Sequence, residues 1–315
     1  MSGEAPKLSI LMPVFNDARF LDEAIRSVVE QSFCDLELVA VDDHSTDQSW
    51  DKLREWQERD SRIRAHRNGR NLGMTTNWNR CLELAAGDLV LKLDADDLLR
   101  PRTLEILVAP FEDPRTIGAG SRTVRVDVDL EPIDGQPADD EMMRAGISPY
   151  RDHDLETAQW LSLALEGVQL WHSCAFVVRR EVLSALGGWD SRFGCASDTE
   201  LLLRILRRDG RFGHRAHVGV WYRLTGDSVS AYYRANDLLR WETTVIALRS
   251  IARESSLDMR LRRRRADLWK IWQSRPATVD EDLPELRGAM ADVSPPPLPD
   301  RVIALLAAAK RKVVR

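Results

Sequence analysis

The chain has 315 residues, 43% hydrophobic and 30% charged, enough for one large α/β domain with an appendage or for two modest domains. Its formal net charge of −5 lacks the basic excess of a nucleic-acid binder, so no nucleic-acid partner is expected. Cys34, Cys81, Cys174 and Cys195 stand far apart with no metal-finger spacing, and there is neither a signal-like amino terminus nor a run of about 18 apolar residues; a reduced, cytoplasmic protein is the expectation.

In chain order, Lys7 to Val14 is an apolar strand, followed by Asn16 and Asp17 as turn residues and an amphipathic helix from Arg19 to Gln31. The pattern recurs with a strand at Leu36 to Val41, the cap-rich run Asp42 to Asp47, and a helix starting near Gln48. A third strand spans Arg62 to His66, a third helix Met74 to Ala86, and a fourth strand Leu89 to Leu93, which runs into Asp94, Ala95, Asp96 and Asp97. Repeated strand and helix alternation predicts a doubly wound, mostly parallel sheet flanked by helices, in which ligands bind at the carboxyl ends of the strands.

Further on, a helix from Pro101 to Phe111 and a β-like stretch from Thr116 to Val128 precede a polar loop from Glu131 to Asp154. A helix from Leu155 to Glu166, an apolar segment from Val168 to Val178, a helix from Asp198 to Arg208 and a strand from Arg215 to Arg223 follow. The predicted organisation is a catalytic domain over 1–225, a helical extension over 226–275, and a Pro-rich acidic linker with a basic amphipathic tail over 276–315.

The sharpest chemical signal is LDADD at Leu93 to Asp97. Carboxylates at i and i+2 on a strand end reach one hard divalent cation if the chain turns there, and such a cation shares its remaining positions with phosphate oxygens. Read alone, so short a motif favours a metal-free capping turn.

Several spaced segments together are more specific. SILMPVFN at Ser9 to Asn16, LVAVDDHSTD at Leu38 to Asp47, NLG at Asn71 to Gly73, AAGDLVLKLDADDLLRP at Ala85 to Pro101 and GGWDSRFGCASDTELLLRIL at Gly187 to Leu206 stand in the order found in family 2 glycosyltransferases, which the chain resembles over residues 7 to 225. The resemblance implies a GT-A fold, with a nucleotide-sugar half near 7–101 and an acceptor half near 102–225. It implies inverting transfer of a sugar from a nucleotide diphosphate donor, a UDP-sugar being favoured, with Mn²⁺ or Mg²⁺ as cofactor.

Residue by residue, the resemblance makes Pro13, Val14 and Phe15 a nucleoside-holding loop and Asp43 the acceptor for a uracil-type imide. It makes Asp94 and Asp96 the metal and donor carboxylates, Asn71 and Asn77 further donor contacts, and Asp198 the general base. From residue type alone Asp198 also suits a helix N-cap, and Asp42 a cap for the helix after it.

The chain departs from the family where Ser197 stands in place of an acidic residue and Thr225 in place of a histidine. Trp171 and His172 are candidate acceptor contacts, with core packing the alternative. The acceptor, whether glycan, lipid-linked, protein or small molecule, has no readable code. The basic and aromatic run within 260–273, with the tail 301–315, is a candidate for peripheral contact with an inner membrane face, against a plain solvated helix.

Two alternatives carry different signatures. A nucleotidyltransferase would place a Gly-rich loop after the first strand, and PVFNDARF has none; a non-catalytic sugar-nucleotide scaffold would not need Asp94, Asp96 and Asp198 together.

Overall fold

The expected strand and helix alternation is present in the computed structural model, which describes residues 6–133, 137–226, 228–254, 259–275, 284–291 and 293. The first half runs β1 (Leu8–Val14), α1 (Leu21–Val29), β2 (Leu36–Asp42), α2 (Ser49–Arg59), β3 (Ile63–Arg67), α3 (Met74–Leu84) and β4 (Leu89–Lys92). These four strands pair in parallel in the order β3-β2-β1-β4. β2 and β4 are buried along their whole length, as strands covered by helices on both faces must be, and this is why they read as apolar runs. Helix α1 buries Leu21, Ala24, Ile25 and Val28, an i, i+3, i+4, i+7 stripe against this sheet.

Next come β5 (Leu98–Leu99), α4 (Thr103–Val108), β6 (Thr116–Val126), α5 (Pro137–Arg144), β7 (His153–Glu156), α6 (Thr157–Glu166), β8 (Phe176–Arg179), α7 (Arg180–Leu186), α8 (Ser197–Leu206) and β9 (Arg211–Arg223). The nine strands form one mixed sheet, ordered β3-β2-β1-β4-β8-β6-β9-β5 with β7 on β9. β8 is antiparallel to both β4 and β6, and so joins the parallel first half to the parallel pair β6 and β9. Two apolar clusters cover the two faces: one includes Leu8, Ile10, Leu104 and Val220, the other Leu11, Trp78, Trp160, Trp171 and Phe212.

Three expectations change. The segment 131–154 is not an uninterrupted loop: α5 is pinned by buried Met142 and by an ion pair between Asp139 and Arg122 at 2.6 Å, and β7 pairs antiparallel with β9. Because β7 takes Leu155 and Glu156, the helix expected from Leu155 starts at Thr157, where Glu156 and Gln159 form a reciprocal capping box. The acidic region after 276 is not all linker, since Leu286 and Ala289 of α12 (Pro284–Ala289), with Met290 and Val293 just after it, join a third apolar cluster.

That third cluster joins α6 and α8 to the extension, which comprises α9 (Val229–Ala235), α10 (Leu238–Ala252), α11 (Met259–Gln273) and α12. Trp272 is buried in it, and Leu268, Trp269 and Ile271 pack against it. The aromatic side of α11 therefore faces protein, while Arg260, Arg262 and Arg263 on the same helix are exposed. Residues 301–315 lie outside the described residues. Among the described residues no helix is long and apolar enough to cross a membrane.

Candidate functional site

The acidic turn begins where β4 ends. Leu93 donates its amide to Leu11 O at 2.9 Å, and Asp97 N closes a turn on Asp94 O at 3.1 Å. Arg223, the last residue of β9, holds this turn from behind: its Nε donates to Asp96 O at 2.9 Å and its Nη1 to Val128 O at 3.1 Å. Its Nη2 pairs with Glu23 at 2.6 Å, and its guanidinium lies over the Phe20 ring at 4.3 Å. Asp97 is fully buried and accepts Arg223 N at 2.9 Å, so its carboxylate fastens the turn to the sheet.

Lys92, at the end of β4, is the link that residue-type reasoning passed over. Its side chain is 2% exposed, yet its ammonium donates to both oxygens of Asp94, at 2.7 and 2.9 Å, and lies 3.6 Å from Asp198 Oδ2. The ring of Trp78 sits 3.9 Å from the same Nζ, a desolvated cation–π contact. Asp94 and Asp198, more than a hundred positions apart in sequence, thus share one buried cation.

Asp198 is the second residue of α8, whose N-cap is Ala196, so Asp198 does not cap the helix. Its Oδ1 instead accepts the Trp189 indole N–H at 2.7 Å. Burial raises its pKa, and Lys92, Ser173 and Trp189 pull it back. Gly187 and Gly188, at φ +77° and +68°, turn the chain out of α7 in a conformation that side-chain-bearing residues avoid, and deliver Trp189 to this position. From α10, fully buried Glu242 accepts the amides of Gly194 and Ala196, which fixes the approach to α8.

The loops after β1 and β2 are laced together. Asn16 N donates to Ser45 Oγ at 2.9 Å, Thr46 N to Asn16 Oδ1 at 2.8 Å, and Asp17 N to Ser49 Oγ at 3.0 Å. Asp42 pairs with Arg67 at 3.0 Å and accepts Ser45 N; it braces the turn and does not cap α2. Asp43 accepts Asn68 Nδ2, Leu72 N and Gly73 N between 2.8 and 2.9 Å, shaping the segment before α3.

The other expected donor contacts separate by exposure. Phe15 is 47% exposed at the rim and Pro13 is half-buried, whereas Val14 lies in the core. Asn71 is exposed and its Oδ1 accepts Gly73 N. Asn77 is buried, donates to Val41 O and accepts from Asn68, so both ends of its amide are engaged within the protein.

Acidic side chains concentrate at the carboxyl ends of the central strands β1 and β4. Burial, aided by Asp96 and Asp94, pushes the Asp17 carboxyl up to about 7, and burial with Asp94 pushes Asp96 up to about 6. Asp97 rises well above the usual range for the same reasons. Among the described residues no three His, Cys, Asp or Glu side chains converge as a ready-made metal cage. The set still suits a hard divalent cation: Asp94 and Asp96 stand at i and i+2, and their mutual repulsion is what such a cation relieves, with the rest of its shell from water and phosphate.

Trp171 and His172, adjacent in sequence, diverge. Trp171 is buried, stacks on Phe212 at a centroid distance of 4.5 Å and donates to His214 Nδ1 at 3.1 Å, so it is a core side chain and not an acceptor-facing one. His172 stacks on Tyr222 at 4.8 Å; burial, with the charges of Arg125 and Arg234, lowers its pKa to about 4 and keeps the ring neutral. Thr225 is buried and its carbonyl accepts Ser228 Oγ at 3.2 Å.

Lys92, Trp189, Asp17 and Arg223 are the site residues absent from the expected set. Lys92 had a signal: a lysine inside the apolar run LVLKLD, two positions before Asp94 and hence on the same side of an extended chain.

A family model described as Glycosyl transferase family 2 matches residues 9–187. An uncharacterised protein of Mycobacterium tuberculosis is 28% identical over 206 residues, 64% of this chain and 63% of that protein. A Campylobacter jejuni GalNAc(5)-diNAcBac-PP-undecaprenol beta-1,3-glucosyltransferase is 38% identical over 104 residues, 33% of this chain and 34% of that one. The chain thus spans less than two thirds of either relative. In fold it is similar to S. aureus TarS 1-349 in complex with UDP-GlcNAc, with a TM-score of 0.66 and 18% identity over 95% of this chain and 83% of that one. It is also similar to the Pyrobaculum calidifontis mannosyltransferase PcManGT in complex with GDP-Man and Mn²⁺, with a TM-score of 0.59 and 20% identity over 99% and 82%. With its acidic turn at the end of β4 and a family match covering more than half of its length, the chain belongs to glycosyl transferase family 2.

Proposed function

We propose that the chain is a metal-assisted, inverting glycosyltransferase that moves a sugar from a UDP-sugar to an acceptor hydroxyl by single displacement. One observation carries this reading: Asp94 of the acidic turn and Asp198 of α8 meet on the Lys92 ammonium, so a donor carboxylate and a half-buried base candidate are neighbours. In this scheme Asp198 takes the acceptor proton, its basicity raised by burial and its orientation held by Trp189. Asp43 uses three of a carboxylate's roughly four acceptor positions on its own loop, which leaves one for the imide N–H of uracil. Mn²⁺ or Mg²⁺ held by Asp96 with Asp94 would supply positive charge to the departing diphosphate.

The nucleotide-sugar ligand in the TarS complex supports a donor of that class, and Mn²⁺ in the mannosyltransferase complex supports a divalent cation. Residues 7–101 serve the donor and 102–225 the acceptor, whose hydroxyl approaches from the side of His172 and Tyr222.

The test is Asp198→Asn with a panel of UDP-, GDP- and dTDP-sugars, following nucleotide release and, by calorimetry, nucleotide affinity with Mn²⁺ and with chelator. Turnover should fall by at least ~100-fold while affinity holds. Undiminished turnover would remove Asp198 from the chemistry, and an NMR coupling constant showing a product anomer like the donor's would remove inversion.

A further inference from the structure

Beside the turn that carries Trp189 lies a cleft of about 320 Å³, formed by the turn after α7, the middle of α8 and the end of α10. Four arginines line it, Arg192, Arg204, Arg249 and Arg253, against two carboxylates, Asp190 and Glu200. Both carboxylates are engaged. Asp190 is gripped by Arg192 through Nε at 2.9 Å and Nη2 at 2.6 Å, and Glu200 pairs with Arg204 at 2.7 Å. Nη1 and Nη2 of Arg204 donate to the carbonyls of Leu186 and Gly188, both at 2.8 Å.

Arg249 and Arg253 are left without a carboxylate partner among the described residues. Arg249 lies over the Phe193 ring at 5.6 Å, and its Nη1 is buried with no hydrogen-bond partner. A cation in that position has lost water at Nη1 and has no ion-pair partner of its own: Asp190 and Glu200 attract it from a distance but are committed to Arg192 and Arg204, and the like charges of Arg192 and Arg253 add to the cost. Burial together with Arg192 and Arg253 pulls its pKa down, in keeping with this geometry.

We propose that this cleft binds a phosphate-type oxyanion. Two uncompensated guanidiniums match the charge of a phosphate dianion, and planar forks suit its oxygens better than a single carboxylate would use them. The volume fits a phosphate or a phosphomonoester, and the concavity between two helices is too small for a folded polyanion. Gly188 and Asp190 line the cleft and flank Trp189, whose backbone N–H and carbonyl are both tied to the Asn79 amide at 2.8 Å and whose indole holds Asp198. An occupant therefore stands one residue from the group that orients Asp198. The anion site itself does not depend on the proposed transfer reaction.

The experiment is a calorimetric titration of the full chain with inorganic phosphate and with glucose 6-phosphate, at matched ionic strength against chloride, for wild type, Arg249→Met, Arg253→Glu and Asp96→Asn. One saturable phosphate site is expected, weakened by about 10-fold or more in each arginine variant and unchanged in Asp96→Asn. Equal affinity for the two probes would assign the site to the free ion, and tighter binding of the ester to a phosphate carried on a larger molecule. No saturable binding, unaltered binding in Arg253→Glu, or loss in Asp96→Asn would overturn the proposal. Arg253 is exposed, so its variant keeps the test decisive even if Arg249→Met fails to fold.

Discussion

Replacing Lys92 by methionine keeps the stem that crosses Trp78 and removes the ammonium between Asp94 and Asp198. Removing one partner of a buried ion pair costs about 3–5 kcal/mol, because the charge left behind has neither water nor counter-ion. Here the carboxylates retain some access to solvent, with side chains 31% and 21% exposed, whereas Lys92 has 2%, so the lower end applies. Loss of the desolvated cation–π contact adds to that, and methionine recovers part of the packing. A net loss of about 3 kcal/mol corresponds to a fall in melting temperature of roughly 6–12 °C for a domain of this size.

Thermal unfolding of Lys92→Met, Asp94→Asn and the double variant measures this directly. Lys92→Met should cost less in the Asp94→Asn background, because one of the two stranded charges is then absent. Lys92 is also the main influence that lowers the Asp198 pKa, so any turnover that survives in Lys92→Met should have its acidic limb at higher pH. A melting temperature within about 2 °C of wild type, with additive single variants, would refute the claim that these three side chains form one electrostatic unit.

Asp43→Ala strands the amides of Leu72 and Gly73 and the Asn68 side chain; a loss of about 1–3 kcal/mol and faster hydrogen exchange at residues 72 and 73 are expected. Trp171→Ala should cost about 3–5 kcal/mol by denaturant unfolding and Trp171→Phe much less, since the side chain fills core space beside Phe212. With Asp17 held up at about 7 and Asp96 at about 6, the folded chain binds more protons than the unfolded one between about pH 4 and 7. Its stability in chelator should therefore decline as pH rises through that window and level off above it; Asp17→Asn should flatten the decline, and Mn²⁺, which competes with the protons, should reverse it.

The first ninety residues were legible because a parallel strand buried on both faces has little choice but to be apolar, as β2 and β4 show. The segment 131–154 was not, because α5 is secured by distant partners, Arg122 for Asp139 and the second apolar cluster for Met142, which local periodicity does not report. The same limit governs the site. Spacing put Asp94 and Asp96 at a strand end, yet the approach of Asp198 to Lys92 depends on β8 lying next to β4 and on a turn after α7 that carries Trp189. Trp171 and His172, adjacent in sequence, go to a core stack on Phe212 and to a stack on Tyr222, a divergence that residue type does not foretell.

Arg223 sits at the far end of the catalytic fold and fastens the acidic turn, the strand-end segment at Val128 and helix α1 at Phe20 and Glu23. During synthesis, Asp94, Asp96 and Asp97 emerge more than a hundred residues before the arginine that holds the Asp96 carbonyl and the Asp97 carboxylate. A fragment ending after Pro101 would carry the acidic motif and still lack its fastening, along with β9, the strand on which β5 pairs. The acidic turn is thus a late-assembled part of the molecule despite its early place in the chain, and attempts to express residues 1–101 alone would yield the motif without the geometry.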